Sequence, residues 1–255
     1  LKAIYKLLSP AHLLAQQSYT DYNTLNHSFY NELLYILGLE DVVDSTGNLH
    51  KIKRMPKNRR QYYSLLEQTL LKLEDYGLTN QDEMFETALS LVLEWTNRLL
   101  FIKLLEGQLN SIVGDRRKKL LMTIERIPDY STFYDLCMTI LAKPYDERNK
   151  EMSERFNEVP FLNSSLFELS ELERQYFSIN AISRGNLMVY NQTAVRMDGH
   201  RVHGKMDSLE YLLRFLGSYD FGSIHDADQD SETIINASVL GRIFEKINGY
   251  KDGSV

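Results

Sequence analysis

Apolar residues recur through the first half of the chain at intervals of three and four, the spacing that collects them on one face of an α-helix. Phe29, Leu33, Leu34, Ile36 and Leu37 form such a stripe, and Gly38 stands where a left-handed C-cap would end it. Upstream, Ser9-Pro10 reads as an N-cap followed by a first-turn proline. Leu65, Leu66, Leu70 and Leu73 predict a helix over residues 60–76, closed by Gly77. Asn80 is placed to cap the longest helix, residues 81–109, which at 1.5 Å per residue would run about 40 Å. Phe85, Leu89, Val92, Trp95, Leu99 and Ile102 occupy one side of it, and Leu91, Leu93, Leu100 and Leu104 lie around it. A helix apolar on nearly all sides is expected at the centre of a bundle. Residues 116–127 and 130–141 predict two shorter helices, broken at Pro128.

Two regions depart from this period. Val42-Val43, then Ser45-Thr46-Gly47-Asn48, then residues 49–54 predict a small hairpin near 41–54. Residues 157–168 contain Pro160 and read as loop, while 176–183 and 187–197 alternate apolar and polar positions (Phe177, Ile179; Met188, Tyr190, Thr193, Val195) and predict strands. Helical spacing then returns. Ser208 caps a helix that stops at Gly217, residues 221–230 are polar loop, and Ile235, Val239, Leu240, Ile243, Phe244 and Ile247 mark a final amphipathic helix over 234–247 before Asn248-Gly249. The expected fold is mainly α: a helical bundle around a long central helix, with a small hairpin and a minor mixed α/β segment. Its expected divisions are 1–141 (helical bundle with the hairpin), 142–206 (mixed loop and strand) and 207–255 (helical exit).

Composition narrows the chemistry. With 43% hydrophobic and 25% charged residues, 5 Pro and 13 Gly in 255, the chain can build a core without staples. One cysteine, Cys137, excludes an intrachain disulfide and a cysteine-based zinc site; inside the apolar run 133–141 it reads as a core thiol rather than a nucleophile. A net charge of −6 argues against a free-standing nucleic-acid binder but leaves room for a local basic face. Lys2, Lys6, Pro10 and His12 break any signal peptide, and Leu1 in place of Met suggests a segment from the interior of a longer chain. Glu86, Glu94, Arg98, Lys103 and Glu106 interrupt the most apolar stretch, so no membrane span is expected and a cytoplasmic location fits.

Few residues offer chemistry. Asp226, Asp228 and Asp230 open like a calcium loop, but Ser231 stands at the glycine position and Ala237 at the final glutamate, so a solvated loop is expected. His200 and His203, three apart, would share a face only on a helix, and Gly199 and Gly204 flank them. With Glu210 they are the only seed of an independent hydrolase or nuclease. No lysine has Asp or Glu two positions before it, which removes the common metal-dependent nuclease motif. Two basic clusters remain. Lys51, Lys53, Arg54, Lys57, Arg59 and Arg60 have no acid among them and are the better candidates for DNA-phosphate contact; Arg116, Arg117, Lys118 and Lys119 are the second.

Three stretches together resemble one family. The first is residues 29–40 (Phe29-Tyr30-Asn31-Glu32-Leu33-Leu34-Tyr35-Ile36-Leu37-Gly38-Leu39-Glu40) with Ser64-Leu65-Leu66-Glu67; the second is residues 97–106, from Asn97-Arg98 to Leu105-Glu106. The third joins residues 159–168 (Val159-Pro160 to Phe167-Glu168) to 239–254 (Val239-Leu240 to Gly253-Ser254). Their order is similar to the helical region upstream of the methyltransferase domain in bacterial type IIG restriction–modification proteins, which fuse a nuclease, a helical connector, an adenine-N6 DNA methyltransferase and a target-recognition domain. The family's Asn-Gly-Gly-Leu-Phe-Glu element reads Asn163-Ser164-Ser165-Leu166-Phe167-Glu168 here. The resemblance implies a non-catalytic connector whose parent chain binds double-stranded DNA, S-adenosylmethionine and Mg²⁺, and whose partner is an adjoining methyltransferase domain. The chain itself lacks the Pro-Pro of an adenine-holding loop and any Gly-x-Gly after a credible strand, so neither catalytic nor cofactor residues are assigned to it. The competing expectation is a helical protein-interaction module of an unrelated system.

Overall fold

The computed structural model describes residues 26–43, 50–113, 121–221, 235 and 237–248. Helix α1, His27–Leu37, begins where Asn26 Oδ1 accepts the Phe29 N–H at 2.9 Å. It ends at Gly38, whose φ of +88° suits glycine. A Cβ there would lie 2.4 Å from Ser64 Oγ, so the stop is also a point of close packing. Strands β1 (Leu39–Val43) and β2 (His50–Arg54) follow as an antiparallel pair, with Leu39 opposite Arg54 and Val43 opposite His50. The expected hairpin is therefore present; its turn lies outside the described residues.

Helix α2, Leu65–Asp75, is shorter than the periodicity predicts. Residues 61–64 form a turn instead, and Ser64 Oγ accepts from Glu67 N as the N-cap. Helix α3, Gln81–Val113, has 33 residues, about 50 Å. Asn80 caps it, with Oδ1 accepting from Asp82 N at 3.0 Å. Its buried residues face several directions (Leu91, Val92, Trp95, Leu99, Leu100, Ile102), and α2 packs along it.

Residues 121–127 are turns rather than the second half of a helix. The cause is local: Glu106 takes the backbone N–H groups of Leu121 and Met122, which a helix would direct along its own axis. Helix α4, Tyr130–Asp135, runs into a π-turn at Leu136–Leu141. Within it Thr139 Oγ1 donates to Asp135 O at 2.6 Å.

The middle of the chain is less extended than its alternation predicts. It contains helices α5 (Lys150–Arg155) and α6 (Glu171–Gln175), neither expected. Residues 176–183 hold a 3₁₀ turn, Ile179–Ala181, because Ile179 and Ile182 are pinned into the core by a loop lying across it. Within 187–197 only Asn186–Met188 (β3) and Arg196–Met197 (β4) pair as strands. Thr193 and Ala194, between them, bond to a side chain instead. Strand β5 (His200–Arg201) pairs with β4, and β6 (Lys205–Asp207) pairs with β3. Asp207 caps helix α7, Ser208–Gly217, accepting from Leu209 N and Glu210 N at 3.1 Å each.

Helix α8, Ala237–Asn248, packs on α3. A cluster of buried apolar residues extends from Phe29 to Ile243 and draws on every part of the described chain. The ring of Phe29 joins α1 to α7 within it, 5.0 Å from Phe215 and 4.9 Å from Tyr219 between centroids. The fold is mainly α, with only two-stranded sheets among the described residues. No described helix is long and apolar enough to cross a membrane.

Candidate functional site

The pleat of β2 decides what its basic residues can do. Ile52 points into the core, so Lys51 and Lys53 lie on the opposite, exposed face. Lys57 is exposed in the 3₁₀ turn Lys57–Arg59. The three arginines are engaged. Arg54 grips Glu67 through two bonds, Nε–Oε1 at 2.7 Å and Nη2–Oε2 at 2.5 Å. Those bonds raise its pKa against the opposing effect of burial. Arg60 donates to Met55 O at 2.8 Å and lies 4.0 Å from the same carboxylate. Arg59 pairs with Glu40. The six residues therefore divide into three lysines without ion pairs among the described residues and three arginines that brace the hairpin against α2 and β1. A phosphate could reach the lysines directly but would have to displace a carboxylate from each arginine. The second basic cluster, Arg116 to Lys119, lies outside the described residues, as do Asp226, Asp228 and Asp230.

The remaining candidates separate. Cys137 is buried in the π-turn, and burial pushes its thiol well above the ordinary range, so it holds its proton. His200 lies in β5 and His203 in the loop after it, so the shared helical face required of them does not form. Glu210 faces another way and bonds Arg214 at 2.7 Å. Among the described residues no group of three or more His, Cys, Asp and Glu side chains is placed to hold a metal.

Two buried polar centres are absent from the sequence reading. In the first, Arg98 on α3, 3% exposed, clasps Glu173 of α6. Its Nη1 and Nη2 each reach a different oxygen of that carboxylate at 2.7 Å. Its Nε donates to Leu166 O at 2.7 Å and Nη2 to Glu168 O at 2.8 Å. The Trp95 indole N–H donates to Glu173 Oε1 at 2.8 Å, and Glu173 closes a capping box with Ser170. Burial alone would raise the pKa of Glu173; the bonds and charge of Arg98, with the Ser170 and Trp95 donors, hold it below the ordinary carboxylate range. Burial likewise opposes the Arg98 charge, and Glu173 outweighs it.

In the second, Glu32 on α1, 1% exposed, accepts from Tyr211 Oη at 2.8 Å, Ala194 N at 2.9 Å and the Thr193 hydroxyl. Burial and the neighbouring Glu32 charge raise the Tyr211 pKa, which keeps that phenol a donor. The clue to the first centre was present: Arg98, Lys103 and Glu106 interrupt an apolar helix, and all are buried. Their partners are too distant in sequence for any local pattern to reveal.

Both centres act as clasps. Each ties a helix to a loop and to a second helix, has its polar groups bonded, and is almost wholly buried. No curated protein and no solved structure matches the chain. A family model described as a domain of unknown function (DUF7814) matches residues 22–235, and the chain belongs to that family.

Proposed function

We propose that the chain is a non-catalytic connector, a helical bundle around the long α3, within a bacterial type II restriction–modification protein whose adenine-specific, S-adenosylmethionine-dependent DNA methyltransferase lies elsewhere in the parent chain. One observation carries the reading. The separate stretches that resemble the region upstream of such methyltransferases meet in space. Arg98, from the second stretch, holds the Leu166 and Glu168 carbonyls of the third. Phe101 and Phe167 pack at 5.8 Å between centroids across the same contact. Helix α8, carrying the last stretch, and α2, which begins with Leu65-Leu66-Glu67 of the first, both pack on α3.

A long helix clasped at buried charges is stiff, and stiffness suits a spacer that must hold two active sites at fixed positions on one duplex. On α8, Val239, Leu240 and Ile243 are already buried within this chain. Docking would then use Gly241, Arg242 and Glu245, which are exposed. In this reading the protein works in the cytoplasm, and no residue of the chain is assigned to S-adenosylmethionine or Mg²⁺. The test is the reading frame that follows Val255 in the genome of origin. A Tyr-Thr-Pro-like segment and, further on, an Asn-Pro-Pro-aromatic loop are expected; a stop codon or an unrelated domain would refute the proposal.

A further inference from the structure

Strands β4 and β5 form a ribbon that stands clear of the core, with every residue from Arg196 to Arg201 exposed. Asp198 and Gly199 take φ of +51° and +79°, the two-residue turn that follows the natural twist of such a ribbon. This turn sets Arg196 directly opposite Arg201. Like charges facing each other across a ribbon destabilise it. Among the described residues neither guanidinium has a carboxylate partner, and Arg196 makes only a 3.4 Å bond to Gly199 O. Lys205, His200 and His203 are also exposed beside them. Over residues 196–205 three permanent cations meet one carboxylate, Asp198, in a chain of net charge −6. The hairpin carries a local excess of two positive charges.

Arg196 also lines a cleft of about 260 Å³ with Lys103, Glu125 and Arg214, where Arg214 is already bonded to Glu210 at 2.7 Å. The Lys103 ammonium, 6% exposed, is bonded to Glu106. Glu106 is shared with the N–H groups of Leu121 and Met122, so one carboxylate serves three donors, and an ammonium carries three N–H bonds of its own. Glu125 also lines the cleft; its own backbone, the Thr123 hydroxyl and the Arg214 charge lower its pKa and keep it ionised, so the cleft has no net positive charge and the cationic excess lies on the hairpin.

We propose that the β4–β5 hairpin is a phosphate-binding edge for duplex DNA. Arg196 and Arg201 take backbone phosphates. Phosphate contacts of this kind position a protein without reading sequence. The anion-binding chemistry stands on the opposed arginines of the hairpin; the choice of DNA as the polyanion rests on the connector reading above.

The test is fluorescence anisotropy of the full 255-residue chain with a labelled duplex of about 24 base pairs across a salt series. Arg196→Ala with Arg201→Ala is expected to weaken binding about tenfold or more and to flatten the log–log salt slope by about 2, since each lost phosphate contact is worth about 0.9. Restoring charge with Arg196→Lys and Arg201→Lys should recover most of the slope. Lys143→Ala with Lys150→Ala, a charge-matched change at exposed positions elsewhere, should leave both quantities in place. Equal binding by the wild type and the arginine double variant overturns the proposal. So does a wild-type chain that is retained by phosphatidylserine vesicles and not by DNA. Absence of any DNA binding sinks the hairpin inference and leaves the connector reading standing. An unrelated domain after Val255, with hairpin-dependent DNA binding intact, does the reverse.

Discussion

Replacing Arg98 with alanine removes four hydrogen bonds at once, two to Glu173 and one each to Leu166 O and Glu168 O. The Glu173 side chain has 0% exposure and would be left as a buried carboxylate with only Trp95 and Ser170 as donors. Breaking a buried ion pair from one side costs about 3–5 kcal/mol, because the remaining charge is desolvated and uncompensated. That is a large share of a typical domain stability of about 5–15 kcal/mol. Arg98→Lys keeps the charge but cannot span both carboxylate oxygens and two carbonyls, so an intermediate loss of about 2 kcal/mol is expected. Arg98→Met combined with Glu173→Leu removes both charges. It should cost less than the sum of its singles by about 2 kcal/mol, after allowing about 1 kcal/mol for the lost cap.

Urea denaturation with linear extrapolation measures each value, and an unchanged m-value would show that the unfolded state is unaffected. The pH dependence supplies a second reading. The pKa of Glu173 is depressed in the folded protein, so its contribution is complete above the unfolded value of about 4.3 and is lost as pH falls through the lower folded value. The gap between wild type and Arg98→Ala should therefore narrow below pH about 4.3. Single costs that add to within about 0.5 kcal/mol, or a gap that widens in acid, would refute the clasp as a coupled unit.

Gly38→Ala adds a Cβ at φ +88° and 2.4 Å from Ser64 Oγ; left-handed strain and overpacking together should cost about 2–4 kcal/mol by the same denaturation assay, and a neutral effect would contradict the close approach. Glu32→Ala leaves the Tyr211 and Thr193 hydroxyls and the Ala194 N–H without their acceptor, a loss of about 3 kcal/mol at roughly 1 per donor, with faster amide exchange at Ala194 as the local signature. Calorimetric titration of the chain with S-adenosylmethionine should give no binding heat; a micromolar isotherm would place a cofactor site where none is assigned.

What could be read from sequence was what neighbours decide. The Asn80 cap, the Gly38 stop and the β1–β2 hairpin are local events, and each appears where its residues direct. The helix over 60–76 was drawn too long because Ser64 competes for the same turn as a cap. The strands expected between 187 and 197 are mostly absent because the Thr193 N–H closes a turn on Tyr190 O and Glu32, more than 150 positions earlier, takes the Ala194 N–H. An apolar–polar alternation records which residues are buried, and a loop pressed on a core buries alternate residues as well as a strand does. The Asp198-Gly199 pair is a hairpin signal legible in the sequence, and it puts His200 on a strand rather than a helix.

Trp95 is the chain's one tryptophan, and its indole N–H ends on the carboxylate that Arg98 holds. The tryptophan fluorescence of the protein therefore comes from one place, the seam between α3 and the loop that leads into α6. Its ring is fully buried, so emission should be blue-shifted while the seam is shut and move to longer wavelength when water enters. That gives an unlabelled optical gauge of strain along the long helix. Whether DNA or a neighbouring domain pulls on this seam can be followed in real time, at a position that touches neither.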